Sequence, residues 1–387
     1  IESFTKIPGS PIAYWLSDRF MHIFEECPQL STFCKPAQGL ATSDNNRFLR
    51  QWYEVPMSNI GFGIQDAVSA QDSGCRWFPY NKGGEYRRWY GNQDYVVNWA
   101  NNGAEIKETV EIKYPYLHGN ISFVVKNESK YFLPAVTWSD INSSFIGARH
   151  YPCGALFDVS GSSLFPPIKD INVTLGLICC SVISKVKFIL NPTMHFQVGD
   201  VQRLPLPSWT GNAHQEISAV VKNLIAIEKQ DWDSQEISWN FKQNELVASF
   251  DGTSTLKYTV EKLQKTYRER IAETKRLEEQ NNENFIRLYG LEGELSPEHP
   301  LSQVTLCCNP HYFFAKATEK TDDELWEMQR CELMKDLISY AVGCMFGRYS
   351  LEKEGVILGY KQGESLEDYQ NILGKEGSYL PDDDNII

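Results

Sequence analysis

A chain of 387 residues, 42% hydrophobic and 22% charged, has the composition of an ordinary globular protein large enough for two or three units. Its formal net charge of −13 argues against wholesale binding of polyanions, and no apolar run reaches membrane-spanning length. The first residue is Ile rather than Met and no signal peptide follows it, as expected of a piece of a longer cytoplasmic protein.

In chain order, residues 1–35 read as helical, because Trp15, Phe20, Ile23 and Phe24 recur at helical spacing. From residue 38 to 207, short β-prone runs ("YVVNWA", "ISFVVK", "ALFDVSG", "VTLGLICC") alternate with Gly/Asn turns. The last of these runs also suits a short buried helix. Helical periodicity then returns in "EISAVVKNLIAIEKQDWD", with Ile217, Val220, Val221, Leu224 and Ile225 on one face. A long, stalk-like helix is predicted from about Ser254 to Tyr289, where Leu256, Val260, Leu263, Tyr267, Ile271, Thr274 and Leu277 recur at steps of three and four. One more helix is expected within "DELWEMQRCELMKDLISYAVGCMFGRYS", ahead of an acidic tail. Residues 363–387 carry seven acids against Lys375, a net of −6. The predicted class is α+β: a β-rich mixed α/β unit over 1–215, a helical spacer over 216–300 and a small helical region over 301–387.

The ten cysteines fall in adjacent pairs or in apolar surroundings, and none forms a CxxC pair. That pattern suits reduced, mostly buried thiols and not a zinc ribbon. Four N-x-S/T sequons, at Asn120, Asn127, Asn142 and Asn172, read as chance in a cytoplasmic protein.

The richest segment is "RWFPYNKGGEYRRWYGNQDYVVNW", locally +2 on an acidic chain. Gly83 and Gly84 permit a tight hairpin there, with Lys82, Arg87, Arg88, Trp89 and Tyr90 around it. Cations interleaved with rings suit nucleic-acid backbones and bases; the bland alternative is a hairpin whose rings fill a core. Trp138, Ser139, Asn142 and Arg149 offer similar groups on a second loop, and Gln197 and Arg203 stand near an expected strand-to-loop exit. Asp140, Ser144 and His150 make no hydrolytic triad, since no GxSxG elbow frames a serine. "VTLCCNPHYFF" approaches the Asn-Pro-Pro-Tyr of adenine methyltransferases but has His at its third place; with no glycine-rich cofactor loop after any strand, it reads as a structural turn.

These segments, together with "GLATSDNNRFLRQWYEV", "KQDWDSQEISWNF" and "FIRLYGLEGEL", resemble the carboxy-terminal portion of PglX-type adenine-specific DNA methyltransferases of BREX phage-defence systems. That family is related to enzymes with a Taq-type specificity domain. The resemblance spans nearly the whole chain in one order. It implies target recognition on double-stranded DNA for a catalytic domain elsewhere in the same protein. It also implies S-adenosylmethionine for that domain, no cofactor in this chain, and other phage-defence components as partners. "GLATSDNNRF" matches the family's entry into the specificity domain, with Ser43 where Gly is usual. Asn45, Asn46, Arg47 and Arg50 would then meet phosphate or orient loops, while Phe48 and Trp52 anchor the segment. Phosphate contacts are expected from Lys82, Arg87, Arg88 and Arg203, and base contacts from Arg149 and loop amides. Two other classes fit the composition: a protein-interaction module bound by partners or by a DNA-mimicking phage inhibitor, and a carbohydrate-binding module built on the 13% aromatic content.

Overall fold

A computed structural model describes residues 16–141 and 145–374. Trp15, Asn142, Ser144 and the acidic run 375–387 lie outside the described residues. Of the helical stretch expected over 1–35, residues 1–15 lie outside the described residues, and within the rest helix α1 spans Asp18–Glu26. Ser17 caps it by accepting from Phe20 N at 3.1 Å, and Pro28 stops it, because the residue before a proline disfavours helical geometry. The short α2 (Asn45–Phe48) runs without a break into β1 (Leu49–Gln51). There follow α3 (Ala67–Asp72), β2 (Trp77–Asn81), β3 (Tyr95–Asn98), α4 (Ala100–Lys113), β4 (Ala135–Trp138), β5 (Ala148–Tyr151), β6 (Leu156–Phe157) and β7 (Ser163–Leu164). The rest is helical: α5 (Ile171–Cys179), α6 (Ser181–Leu190), α7 (Val198–Gln202), α8 (Asn212–Asp233), α9 (Glu245–Ser249), α10 (Leu256–Leu288), α11 (Pro310–Phe313), α12 (Asp322–Met345) and α13 (Leu366–Leu373).

The class is α+β. The strands form two small sheets, ordered β1-β3-β2-β6 and β5-β4-β7. Two β-prone runs are helical instead. "ISFVVK" holds a single 3₁₀ turn, Ile121–Phe123, and "VTLGLICC" is part of α5. The second run has no polar period because α5 is buried on nearly every side, between β4 and β5, α6 and α8. Gly176 lets α10 approach it: Asn281 Nδ2 donates to Gly176 O at 3.0 Å, where an added Cβ would stand 2.7 Å from Asn281 Oδ1.

At 33 residues α10 is about 50 Å long, yet it is no free stalk. Val260, Leu263, Tyr267 and Ile271 pack with Trp326, Leu333, Val304 and Leu306. Farther along, Leu277 and Phe285 join the largest core, which draws on β4, β5, α5, α6 and α8. The first sheet and α4 hold a second core around Phe78, Tyr80, Val97 and Ile106. Gly359 and Tyr360 return to that sheet's flank: Met57 N donates to Gly359 O at 3.3 Å and Ser58 N to Tyr360 O at 2.8 Å.

Candidate nucleic-acid interface

The β2 and β3 strands pair antiparallel, but residues 82–94 between them make a wide loop and not the tight hairpin expected at Gly83-Gly84. Both glycines have positive φ; a Cβ at Gly83 would stand 2.8 Å from Ser160 O, and one at Gly84 2.8 Å from Asn92 Nδ2. The loop is wide because its middle crosses to the second sheet. Trp89 N donates to Ala148 O and His150 N to Trp89 O, each at 2.8 Å, so the loop extends the β5 edge.

That crossing carries the basic and aromatic run inward. Arg88 is 3% exposed and Arg149 1%, while Trp89 and Tyr90 are buried beside them. Arg88 Nη1 stands 3.1 Å from Glu278 Oε1 of α10, and its other terminal nitrogen donates to Cys179 O. Trp89 Nε1 donates to the same Glu278 oxygen at 2.6 Å, and His299 Nε2 lies 2.9 Å from the second oxygen. Burial alone would raise the Glu278 carboxyl, but Arg88, His299 and Trp89 hold it below the ordinary carboxylate range. Arg87 Nη1 donates to Thr305 O at 2.9 Å, and its guanidinium lies 5.0 Å from the Trp232 ring centroid. Arg149, donating at 3.3–3.4 Å to Ser139 Oγ, Gly83 O and Arg87 O, has its pKa pushed down to about 10 by burial and by Arg87. The expected cationic rim of Arg87, Arg88 and Arg149 is therefore corrected. Their terminal nitrogens bond interior groups, because a buried guanidinium left without partners is costly.

Lys82 lies nearer the surface but is bound to Asp158 at 2.8 Å. Trp138 is fully buried, donating Nε1 to Phe196 O at 2.7 Å, and Ser139 Oγ donates to Gly84 O at 2.8 Å. Gln197 and Arg203 flank α7 as its N- and C-caps, so no strand ends there. Arg203 Nη2 pairs with Asp200 at 2.6 Å. Asn142 lies outside the described residues.

Two of the predicted loops do come together. Phe196 N donates to Asp140 O at 2.8 Å, and Ile141 bridges His195. Around that seam Ile141, Met194 and His195 are exposed, as are Gln197 and Phe145. Lys185 and Phe188 of α6, which sequence reasoning passed over, are exposed too. Their signal was a Lys and a Phe three residues apart on one face of an otherwise apolar run. Glu278, which pairs with Arg88, was signalled by a carboxylate beside Leu277 in the apolar stripe of α10.

The Asn45–Arg50 segment sits at the other edge of the first sheet, since β1 and β6 are its two outer strands. Asp44 caps α2 through Arg47 N at 3.1 Å, and Asn45 Oδ1 accepts from Thr42 Oγ1 at 2.5 Å. Asn45, Asn46 and Arg47 are exposed; Arg47 pairs with Glu105 at 3.1 Å. Arg50 is half-buried over Trp77, its Nη1 on Asn46 O and Leu49 O at 2.7 Å. Phe48 and Trp52 are core residues.

Asn309 is buried, donating to Leu301 O and Val304 O and accepting from His311 N, so its amide is fully used in holding a turn. Asp140 faces His195 and not His150, which lies on β5. All ten cysteines are free thiols; Cys34, Cys179, Cys180, Cys308 and Cys344 are buried. Among the described residues no three His, Cys, Asp or Glu side chains gather as a metal site. No single helix among them is long and apolar enough to cross a membrane.

No protein-family model matches the chain. It is 34% identical over 397 aligned residues to "Adenine-specific methyltransferase PglX" of Lacticaseibacillus casei (strain Zhang), a match covering 100% of this chain and 30% of that protein. It is 31% identical over 392 to "Adenine-specific methyltransferase BrxX" of Escherichia coli O9:H4 (strain HS), covering 99% of this chain and 29% of that one. The chain thus spans about 30% of the length of these curated relatives. Over its whole length the chain matches a part of these PglX and BrxX proteins, consistent with a carboxy-terminal portion of a BREX PglX-type protein.

Proposed function

We propose that this chain is the DNA-recognition part of an adenine-specific methyltransferase in a BREX-type phage-defence system. The observation that carries the proposal is the match along the whole chain to two proteins named as adenine-specific methyltransferases. The catalytic domain and its S-adenosylmethionine would then belong to the remaining length of the protein. Double-stranded DNA would meet the exposed loops and not the buried arginines. Candidate contacts are Arg47 and the amides of Asn45 and Asn46 at the β1 edge, and Gln197, Arg203 and Lys82 beside the joined loops. Rigid anchoring by Trp138 and Ser139 would hold those loops in register with the duplex, which limits the entropy lost on binding.

Methylome sequencing of cells with and without the full-length protein tests this. The modified motif is expected to change when the exposed residues of the joined loops are replaced. A motif indifferent to them would refute the role. Binding to duplex DNA should also fall steeply with salt.

A second role, docking of protein partners, is favoured by a different surface. Ile112, Tyr116 and Phe123 are 75%, 68% and 62% exposed on the end of α4 and the turns packed against it. Pull-down of other defence components without DNA would support that role, and its loss on replacing Tyr116 would locate it.

A further inference from the structure

Helix α12 is apolar on two opposite faces. Its inner face is occupied: Trp326 and Leu333 join one core, Tyr340 and Cys344 another. On the opposite side Cys331, Met334, Ile338, Ala341 and Met345 follow one another at steps of three, four, three and four. That spacing keeps them on a single stripe for about 21 Å of helix. Cys331, Ile338 and Ala341 are exposed, Ile338 at 64%, while Met334 and Met345 are half-buried. Phe346 and Leu351, just past the helix end, prolong the patch at 47% and 57% exposure. A helix that is apolar on both sides is the kind that is covered on both sides.

Alternating steps of three and four make the seam of a two-stranded coil. Ile338 and Met345 hold one kind of seam position, Met334 and Ala341 the other. Turned antiparallel about a two-fold axis between Ser339 and Tyr340, this stripe matches itself in four layers. Met334 meets Met345 of the second copy, Ile338 meets its Ala341, and the same two contacts recur in reverse. The bulky Ile338 thereby fills the space that Ala341 leaves. On the flanks Lys335 lies beside Val342 of the second copy and Arg330 beside its Leu351, so no like charges oppose. A parallel pair would instead set Arg330 against Lys335 and Ala341 against Ala341. The inner face already holds α12 in place, so pairing orders little chain. The area covered lies near the roughly 1,000 Å² at which specific interfaces begin.

We propose that the outer face of α12 is a self-association surface, on which a second copy of this chain lays its own α12 antiparallel.

Sedimentation equilibrium of the full-length protein tests this. The mass is expected to rise toward that of two chains, with half-association on the order of 10 µM for a seam of this size. Ile338→Glu, and likewise Ala341→Glu, should weaken association by more than about tenfold, because each buries a charge amid apolar groups. Both positions are exposed in the single chain, so the melting temperature should be unchanged. A short bis-maleimide, with the linked residues read by mass spectrometry, locates the axis. Ala341→Cys should link to itself across the pair. Native Cys331, about 25 Å from its counterpart along the helices, should not. Cys331 linked to itself would overturn the antiparallel arrangement. A protein still monomeric at about 100 µM, or a dimer that both variants leave intact, overturns self-association. A monomer that binds a different chain through Ile338 overturns it too, and assigns the face to that chain.

Discussion

Two pairs of arginines, Arg47/Arg50 and Arg87/Arg88, look alike in the sequence: each lies within a few residues of a Phe or Trp. In the fold they have opposite fates. Arg47 is exposed and pairs with a half-buried Glu105, and Arg50 folds back onto backbone carbonyls of its own segment. Arg87 and Arg88 are buried against Thr305, Glu278 and Cys179, contributed by chain at least ninety positions away. Local spacing of cations and rings therefore identifies a capacity for stacking and pairing. Which partner is met, and whether it lies inside or outside, is decided by distant residues.

The comparison can be broken most directly at Arg88. Arg88→Ala would leave Glu278 buried without its guanidinium, and we expect a loss of about 3–5 kcal/mol, read as a shift in the denaturation midpoint. A loss below about 1 kcal/mol would show that the cluster is solvated and open to an external phosphate.

Acid should find the next weakness. His150, on the strand edge bridged by Trp89, has its pKa pushed down to about 4 by burial. Unfolded, the imidazole titrates near its ordinary value of about 6.5. Between those values the unfolded chain binds a proton that the folded one does not. Stability is thus complete above about pH 6.5 and declines toward pH 4, by roughly 3 kcal/mol from this residue alone. Asp94, pushed up to about 6 by burial, acts in the opposite direction over the lower part of that window. The difference between wild type and His150→Gln isolates the histidine: melting curves from pH 7 to 4.5 should be flatter in the variant.

Arg149 sharpens the contrast within the interior. It faces carbonyls and a hydroxyl, with no carboxylate in direct contact, so Arg149→Met orphans no charge. A cost of about 1–2 kcal/mol is expected, clearly below that of Arg88→Ala. At the surface, Arg47→Ala should change stability by no more than about 0.5 kcal/mol. If Arg47 touches phosphate, the slope of log affinity against log salt should fall by about 1, with every sequence weakened alike. An unchanged slope would remove it from the interface.

Much of the helical half was legible because its periodicity is strong. The apolar stripe from Val260 to Leu277 gave α10 nearly to its ends, and Thr255 supplies the cap at its start. The run "VTLGLICC" was ambiguous because a segment buried on all sides shows neither period, and only its neighbours decide the backbone. The glycines at 83 and 84 signalled positive φ correctly, but not the long crossing to β5 that follows them. The joining of the 139–147 and 191–203 loops rests on a backbone bond from Phe196 to Asp140 that side-chain pattern cannot announce. Family resemblance reached the relatives that the whole chain matches; it could not tell an arginine that faces solvent from one that faces Glu278.

The bonds from Met57 and Ser58 to Gly359 and Tyr360 have a consequence for biosynthesis. A flank of the first sheet stays open until residues 359 and 360 have left the ribosome. Until then Trp52 and Ile60 lack part of their cover, since Val356 packs against the cluster they form. A nascent chain stalled before that point would present a sticky, half-closed edge to chaperones, and closing it is a contact of very long sequence separation and hence a slow step.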